Sequence, residues 1–263
     1  MSCTPPVVLS ISGHDPSGGA GIQADIEAIT QHSCHACSVI TALTIQNTTC
    51  FKKIIPQSAD HILEQLQALL DDIDISAIKI GLLGSEENIY AVHEVIQTHP
   101  NIPVIIDPVL ASGLGNRLVN DTQVKILKSK LLPNATVITP NSIEARTLAG
   151  NLTSLKDCGL KLLATGCKNV LITGTHEMKE KVVNSLYSDS GAIESRSWDR
   201  LNHTYHGSGC TLASSIAALI ALGHDPASAA LDAQAYTWKS LKNAYKPGKG
   251  QYIPRRLFGS AYR

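Results

Sequence analysis

Aromatic residues are scarce in this chain of 263 residues: Phe, Trp and Tyr together make up 4%. Its core has to be filled by Ile, Leu, Val and Ala, within a hydrophobic share of 43%. Charge is sparse at 17%, and 22 Lys and Arg balance 22 Asp and Glu. Without a basic excess, a dedicated nucleic-acid binder is disfavoured. Hydrophobicity this high with no net charge excludes a disordered chain. No apolar run approaches the ~20 residues that span a bilayer; the longest lies around Ile216 to Leu222. The opening MSCTPPVVLSISG has no positive n-region, so no secretory signal is expected. The seven cysteines (Cys3, Cys34, Cys37, Cys50, Cys158, Cys167 and Cys210) show no framework spacing. An odd count in a chain this long points to reduced thiols and the cytoplasm.

What is present is an alternation. Val7 to Ser12 is a short apolar run closed by Gly13, and Gly21 to Gln31 has Ile22, Ile26 and Ile29 at helical spacing. Ser38 to Ile45 is rich in β-branched residues, and Ile62, Leu66, Leu69, Leu70 and Ile73 mark another helix face. Ala77 to Leu83 reads as a strand, and Ser85 is placed to cap a helix with Glu86 and Glu87 in its first turn. Strand-like Val104 to Asp107, Thr136 to Thr139 and Asn169 to Thr173 alternate with helical Val124 to Leu132 (stopped by Pro133), Ile143 to Leu148 and Leu155 to Ala164. Asp189-Ser190-Gly191 between Val182–Ser188 and Ala192–Trp198 signals a hairpin. Two helices, about Thr211 to Leu222 and Ala227 to Tyr245, precede a basic, loop-like tail. Such alternation implies an α/β fold: a mostly parallel sheet, helices on both faces and an antiparallel hairpin at one edge. No linker or repeat interrupts it, so residues 1–263 read as one domain. Sites in such sheets lie beyond the carboxyl ends of the strands, where several unusual segments fall.

The first, Ser12 to Gly21, is glycine-dense and joins a strand to a helix, so its backbone can approach a ligand and the helix start supplies N–H groups. It is neither a Walker A loop nor a G-x-G-x-x-G, which disfavours an NAD-binding oxidoreductase. Asp25 follows one turn into that helix. The second, His206-Gly207-Ser208-Gly209-Cys210-Thr211, opens a long apolar helix. Its successive N–H groups suit an anion such as a phosphoryl group. A cysteine there is expected to have a lowered pKa and to serve as a base. Asp107 and Glu144, at two further strand ends, are candidates to hold Mg²⁺, although an acid at such a place is also an ordinary cap. Gln46 offers a paired donor and acceptor for a heteroaromatic edge. His32, Cys34, His35 and Cys37 crowd together, but no second ligand pair with structural-zinc spacing accompanies them.

In order along the chain stand GHDPSGGAGIQAD, SVITALTIQNT, KIGLL, DPV, ITPNSIEA and HGSGCTL. This set, spanning about Val7 to Leu222, resembles the hydroxymethylpyrimidine/phosphomethylpyrimidine kinases of thiamine biosynthesis, in the ribokinase-like superfamily. The resemblance implies a ribokinase-like fold and ATP-dependent phosphorylation of 4-amino-5-hydroxymethyl-2-methylpyrimidine, then of its monophosphate. It implies that Gly207, Ser208 and Gly209 form the anion hole and that Cys210 is the catalytic base. It also implies that Gln46 reads the pyrimidine near Gly13, Ala20 and Asp25, with Leu82 and Val109 as apolar pocket positions. Asp107 and Glu144 would lie near metal and phosphates, with Asn141 and Thr173 on the nucleotide side. A homodimer is implied as well, and neither nucleic acid nor membrane as a partner.

The chain departs from the family at Ser208, where threonine is usual, at His14 for serine or threonine, and at Leu82 for methionine. Thr173-Gly174-Thr175-His176 stands where Lys-Gly-Gly-His is usual, and LASGLGNRL after Val109 lacks the usual Ala-Lys-Ser-Gly. Two phosphate-side lysines are therefore absent, and Lys246, Lys249, Arg255 or Arg256 of the basic tail are the candidates to replace them. A pyridoxine/pyridoxal kinase, whose ring also carries a hydroxymethyl group, and a weakened, non-catalytic pyrimidine-binding protein are the alternatives.

Overall fold

The computed structural model describes residues 4–191 and 193–259. Among the described residues nine strands form one sheet: β1 (Val7–His14), β2 (His35–Gln46), β3 (Phe51–Pro56), β4 (Ile75–Ile80), β5 (Val104–Ile106), β6 (Val137–Ile138), β7 (Asn169–Ile172), β8 (Lys181–Ser188) and β9 (Ile193–Asp199). Their order is β3-β2-β1-β4-β5-β6-β7-β8-β9. The strands from β2 to β7 pair in parallel. The expected hairpin, β8 with β9, continues antiparallel from β7 at one edge. Ala192, expected to open the second hairpin strand, and Cys3 lie outside the described residues. The other edge also carries an antiparallel strand, β3, which the sequence reading missed. Its residues FKKIIP are half-buried or exposed throughout, so no buried face marks it as a strand.

Eight α-helices of the described residues cover the sheet: α1 (Gly21–Gln31), α2 (Ala59–Leu70), α3 (Glu86–Thr98), α4 (Asp121–Ile126), α5 (Ser142–Leu148), α6 (Leu155–Leu163), α7 (Ser208–Ala221) and α8 (Pro226–Lys242). One core packs Leu9, Ile11, Ile78, Ile80 and Ile106 against α2, α3, α5 and α6. The other packs Val8, Ala77, Ile105 and Leu171 against α1, α7 and α8. Ser85 caps α3 as expected, accepting the Asn88 N–H. The helix expected over Val124 to Leu132 instead starts at Asp121, where Asn120 and Gln123 form a capping box. It widens to a π-turn over Leu127–Leu131 and ends in a 3₁₀ turn that contains Pro133. No helix of the described residues is long and apolar enough to cross a membrane.

Gly159 of α6 sits on the ring of Tyr187 in β8, and a β-carbon there would lie 2.5–2.7 Å from the ring carbons. Gly159→Ala should therefore destabilise the protein by about 1–3 kcal/mol through overpacking. Urea unfolding checks this. In a Tyr187→Leu background the same change should cost less, because alanine favours helix once the clash is gone.

Candidate active site

The chain crosses from β1 to β2 on one side and returns to β4 on the other, so the switch point of the sheet lies between β1 and β4. Gly13, near the end of β1, and Leu82, just past β4, meet there; a β-carbon on Gly13 would lie 3.2 Å from Leu82 Cδ2. Thr44 Oγ1 donates to His14 O at 3.0 Å and accepts from Gln46 Nε2 at 2.9 Å. The Gln46 amide is thus held at the carboxyl end of β2 beside β1. Val109 follows in the turn after β5, its N–H on Asp107 O at 2.8 Å.

Helix α7 begins beside this crevice. Gly207 precedes it in the left-handed region, at φ 78°, where a β-carbon would run into Gly19 O. The first intrahelical bond is Thr211 N to Gly207 O. The N–H groups of Ser208, Gly209 and Cys210 are therefore left to an outside acceptor, at the positive end of the helix. Asp107 faces them: a β-carbon on Gly209 would sit 3.3–3.4 Å from its carboxylate oxygens. The Cys210 thiol lies near enough to this carboxylate, and to the Gly21 N–H at the start of α1, for each to act on its ionisation.

Here the structure corrects the expectation of a lowered cysteine pKa. Burial pushes the Cys210 thiol up to about 12, and Asp107 and Asp25 add to that against the pull of Lys79 and the Gly21 N–H. A helix end contributes at most ~2 kcal/mol, whereas removing a thiolate from water shifts a buried group by several pKa units. Asp25 is corrected too. It does not line the crevice: it is fully buried, with Oδ1 accepting from Ser214 Oγ at 2.7 Å and Oδ2 from Ser10 Oγ at 2.6 Å and Lys79 Nζ at 2.8 Å. Burial of Lys79, which is complete, disfavours its charge, but Asp25, Cys210 and Asp107 outweigh that and raise its pKa. The signal for it in the sequence was a lysine inside an otherwise apolar strand.

Asp107 and Glu144 are both buried acids. Burial raises Asp107 to about 6 although Lys79 opposes it. Burial and the nearby Asp107 raise Glu144 to about 8. Glu144 Oε1 accepts Leu110 N at 3.2 Å and Oε2 accepts Asn141 N at 2.9 Å, which ties α5 to the turn after β5. Two buried hard oxygen donors near enough to act on each other, each disfavoured as an anion, fit Mg²⁺, which takes few protein ligands. Among the described residues no group of three His, Cys, Asp or Glu could hold a metal. An ion here would complete its shell with water and phosphate. Asn141 and Thr173 are bridge partners at the ends of β6 and β7. Asn141 Oδ1 caps α5, accepting from Ile143 and Glu144 N–H, so its NH₂ group is what remains to offer a ligand.

The glycine-rich loop differs from its expected role. Its N–H groups do not form an open cradle, because Asp15 takes them: Ser17 N on Oδ1 at 2.9 Å, Gly19 N and Ala20 N on Oδ2 at 3.1 and 2.9 Å, and Gly18 N on the Asp15 carbonyl at 3.0 Å. His206 Nε2, one residue before Gly207, lies 2.8 Å from the same Oδ2. Burial disfavours the Asp15 charge, but the His206 bond and charge and the Ser17 bonds outweigh it and bring the pKa down to about 2. Three of the four tail cations are engaged elsewhere, and Lys249 is exposed. Arg256 is buried, Arg255 stacks over Tyr245, and Lys246 over Tyr252. His32 Nε2 bonds Ser215 Oγ at 2.7 Å, Cys34 reaches Ala218 O, and Cys37 lies in the opposite core.

An open α/β sheet with a helix-end anion site, a buried thiol–carboxylate pair and paired metal-type acids defines a ribokinase-like small-molecule kinase. The fold is matched by an ADP complex of Bacillus subtilis pyridoxal kinase, at 28% identity and TM-score 0.87 over 96% of this chain and 97% of that one. It is matched too by a phosphomethylpyrimidine kinase from Clostridium difficile, at 32% identity and TM-score 0.79 over 90% and 99%. The chain belongs to the phosphomethylpyrimidine kinase family, whose sequence profile matches residues 15–255. A hydroxymethylpyrimidine/phosphomethylpyrimidine kinase of Aquifex aeolicus is 34% identical over 251 residues, 94% of this chain and 98% of that protein.

Because the Asp15 pKa lies below its usual 3.8, its contribution is present above that value and lost as pH falls through about 2. Asp15→Asn should cost ~2 kcal/mol at neutral pH. Urea unfolding of both proteins from pH 7 down to about 2 should show that difference shrinking below about pH 4.

Proposed function

We propose that this protein transfers the γ-phosphoryl group of ATP to the hydroxymethyl oxygen of 4-amino-5-hydroxymethyl-2-methylpyrimidine, and then phosphorylates the monophosphate to the diphosphate, for thiamine biosynthesis. The observation that carries this reading is that Cys210, Asp107 and the open α7 N-terminus stand together at the carboxyl ends of the strands, the same edge at which Gln46 closes β2. The pyrimidine lies over Gly13 between Leu82 and Val109, and the Gln46 amide pairs with its polar edge. The hydroxymethyl oxygen attacks the γ-phosphorus as the bond to the β-phosphate oxygen breaks and ADP leaves. The N–H groups of Ser208, Gly209 and Cys210 face the charge that spreads over the transferring group. Cys210 Sγ takes the hydroxymethyl proton while its own proton passes to Asp107, which is largely ionised at neutral pH with a pKa of about 6. The thiol therefore needs no standing negative charge. Asn141 and Thr173 flank the nucleotide. Mg²⁺ held by Glu144, and by Asp107 through water so that its carboxylate stays free to take the proton, would neutralise phosphate charge.

Wild type should release ADP with the pyrimidine and with its monophosphate. Cys210→Ala should lower kcat by at least ~10²-fold at an unchanged melting temperature; full turnover in that variant would remove the base assignment. A pyridoxal kinase is the second reading, favoured by the likeness to pyridoxal kinase structures, and kcat/KM for the two rings decides between them. Pyrimidine binding in calorimetry without Mg·ATP binding would mark a non-catalytic binder instead.

We place the protein in the cytoplasm, in keeping with six free thiols among the described residues. We also propose a homodimer, seated on the exposed strip of Leu43, Ile45 and Ile55 on β2 and β3. Sedimentation should show two chains for wild type and one for Leu43→Lys; a wild-type mass of one chain would refute it.

A further inference from the structure

The tail after α8 carries a second interior cation. Arg256 has 0% of its side chain exposed and lies outside regular secondary structure. Its Nε donates to Thr211 Oγ1 at 2.8 Å, and that hydroxyl donates to Gly207 O at 2.8 Å. Its Nη2 donates to Gly19 O, and Nη1 to Gly18 O at 3.4 Å and to Glu27 Oε2 at 3.0 Å. Two successive peptide planes of the glycine-rich loop are thus gripped at both ends. Their carbonyls rest on Arg256, and their N–H groups, those of Gly19 and Ala20, rest on Asp15. Asp15 is in turn held by His206, next to Gly207. A closed ring results: Arg256, Thr211, the first turn of α7, His206, Asp15, the glycine-rich loop and back to Arg256. A planar guanidinium can serve these diverging acceptors at once, and an ammonium on a flexible stem cannot.

Phosphoryl transfer is sensitive to how donors are aimed, because they must meet charge that exists only in the transition state. The direction of the Ser208–Cys210 N–H groups depends on the Gly207 peptide, and its carbonyl is fixed through Thr211 by Arg256. The Gly21 N–H, which lies near Cys210, belongs to the same loop. We propose that Arg256 is a positioning residue for phosphoryl transfer: touching neither substrate, it holds the anion-hole turn and the glycine-rich loop in the register that aims their N–H groups. This rests on the kinase reading above.

Three variants, Arg256→Lys, Thr211→Val and Glu27→Gln, test it with steady-state kinetics at a temperature where circular dichroism shows each folded. Arg256→Lys should lower kcat roughly ten- to a hundredfold, with KM for ATP and for the pyrimidine within about twofold of wild type. Thr211→Val, which cuts the link to Gly207, should do the same, and the double variant should be no worse than either single one. Glu27→Gln removes the ion pair but leaves the bonds to Thr211, Gly18 and Gly19, so kcat should stay at the wild-type value. Wild-type kcat in folded Arg256→Lys or Thr211→Val, additive losses in the double variant, or a rise in KM at constant kcat would overturn the positioning role. The kinase reading fails separately, if wild type phosphorylates neither the pyrimidine nor pyridoxal.

Discussion

Beneath the anion hole, an ammonium and a carboxylate share an interior closed to bulk solvent. Lys79 on β4 and Asp25 on α1 are both fully buried and 2.8 Å apart. Ser10 of β1 and Ser214 of α7 complete the carboxylate's bonds. One carboxylate therefore ties together the two strands that form the switch point and the two helices whose N-termini converge on Cys210. Removing either charged partner would strand the other, at a cost of about 3–5 kcal/mol. The pair also explains how two further acids can be buried alongside, since Lys79 opposes the upward shift of Asp107. Glycine at position 81 belongs to the same constraint, because a β-carbon there would press on Lys79 Nζ and Ser12 Oγ.

The chain has no net charge, yet ATP and the pyrimidine monophosphate, two of its three proposed substrates, are anions. The structure resolves this by using charge locally. Two of its few cations are placed inside, Lys79 under α7 and Arg256 between α7 and the glycine-rich loop, where they shape the site without raising a field at the surface. Open N–H groups of α7 then face outward. The same burial that makes these local fields strong keeps Cys210 protonated in the resting protein. A base that acts while its proton moves to Asp107 is consistent with both facts.

Much of the architecture was legible. The bounds read for α1 coincide with those found, Ser85 caps α3, and the hairpin stands at the expected edge. These follow from local rules, helical spacing, capping and turn chemistry, which act within a few residues. Failures came where burial differed from the local pattern. β3 is exposed, so its two lysines and proline hid it. The turns after Ile126 are set by packing rather than by Pro133. At the site, the ordered motifs marked Gln46, Asp107, Glu144 and the Gly207–Cys210 turn, and all of them lie at the carboxyl ends of the strands or at the start of α7.

Local spacing and residue chemistry alone thus determined the alternation of elements, the ends of the strands as the place of the site, and the type of side chain available there. Only the tertiary structure decided how those side chains are charged and held. His206 meets Asp15 across 191 positions, Lys79 meets Asp25 across 54, and Arg256 meets Thr211 across 45. No periodicity signals contacts of such separation. Whether Cys210 is a thiol or a thiolate, and whether Asp25 faces a ligand or a lysine, depends on how much water the packed elements exclude, a property of the whole fold and of no single segment.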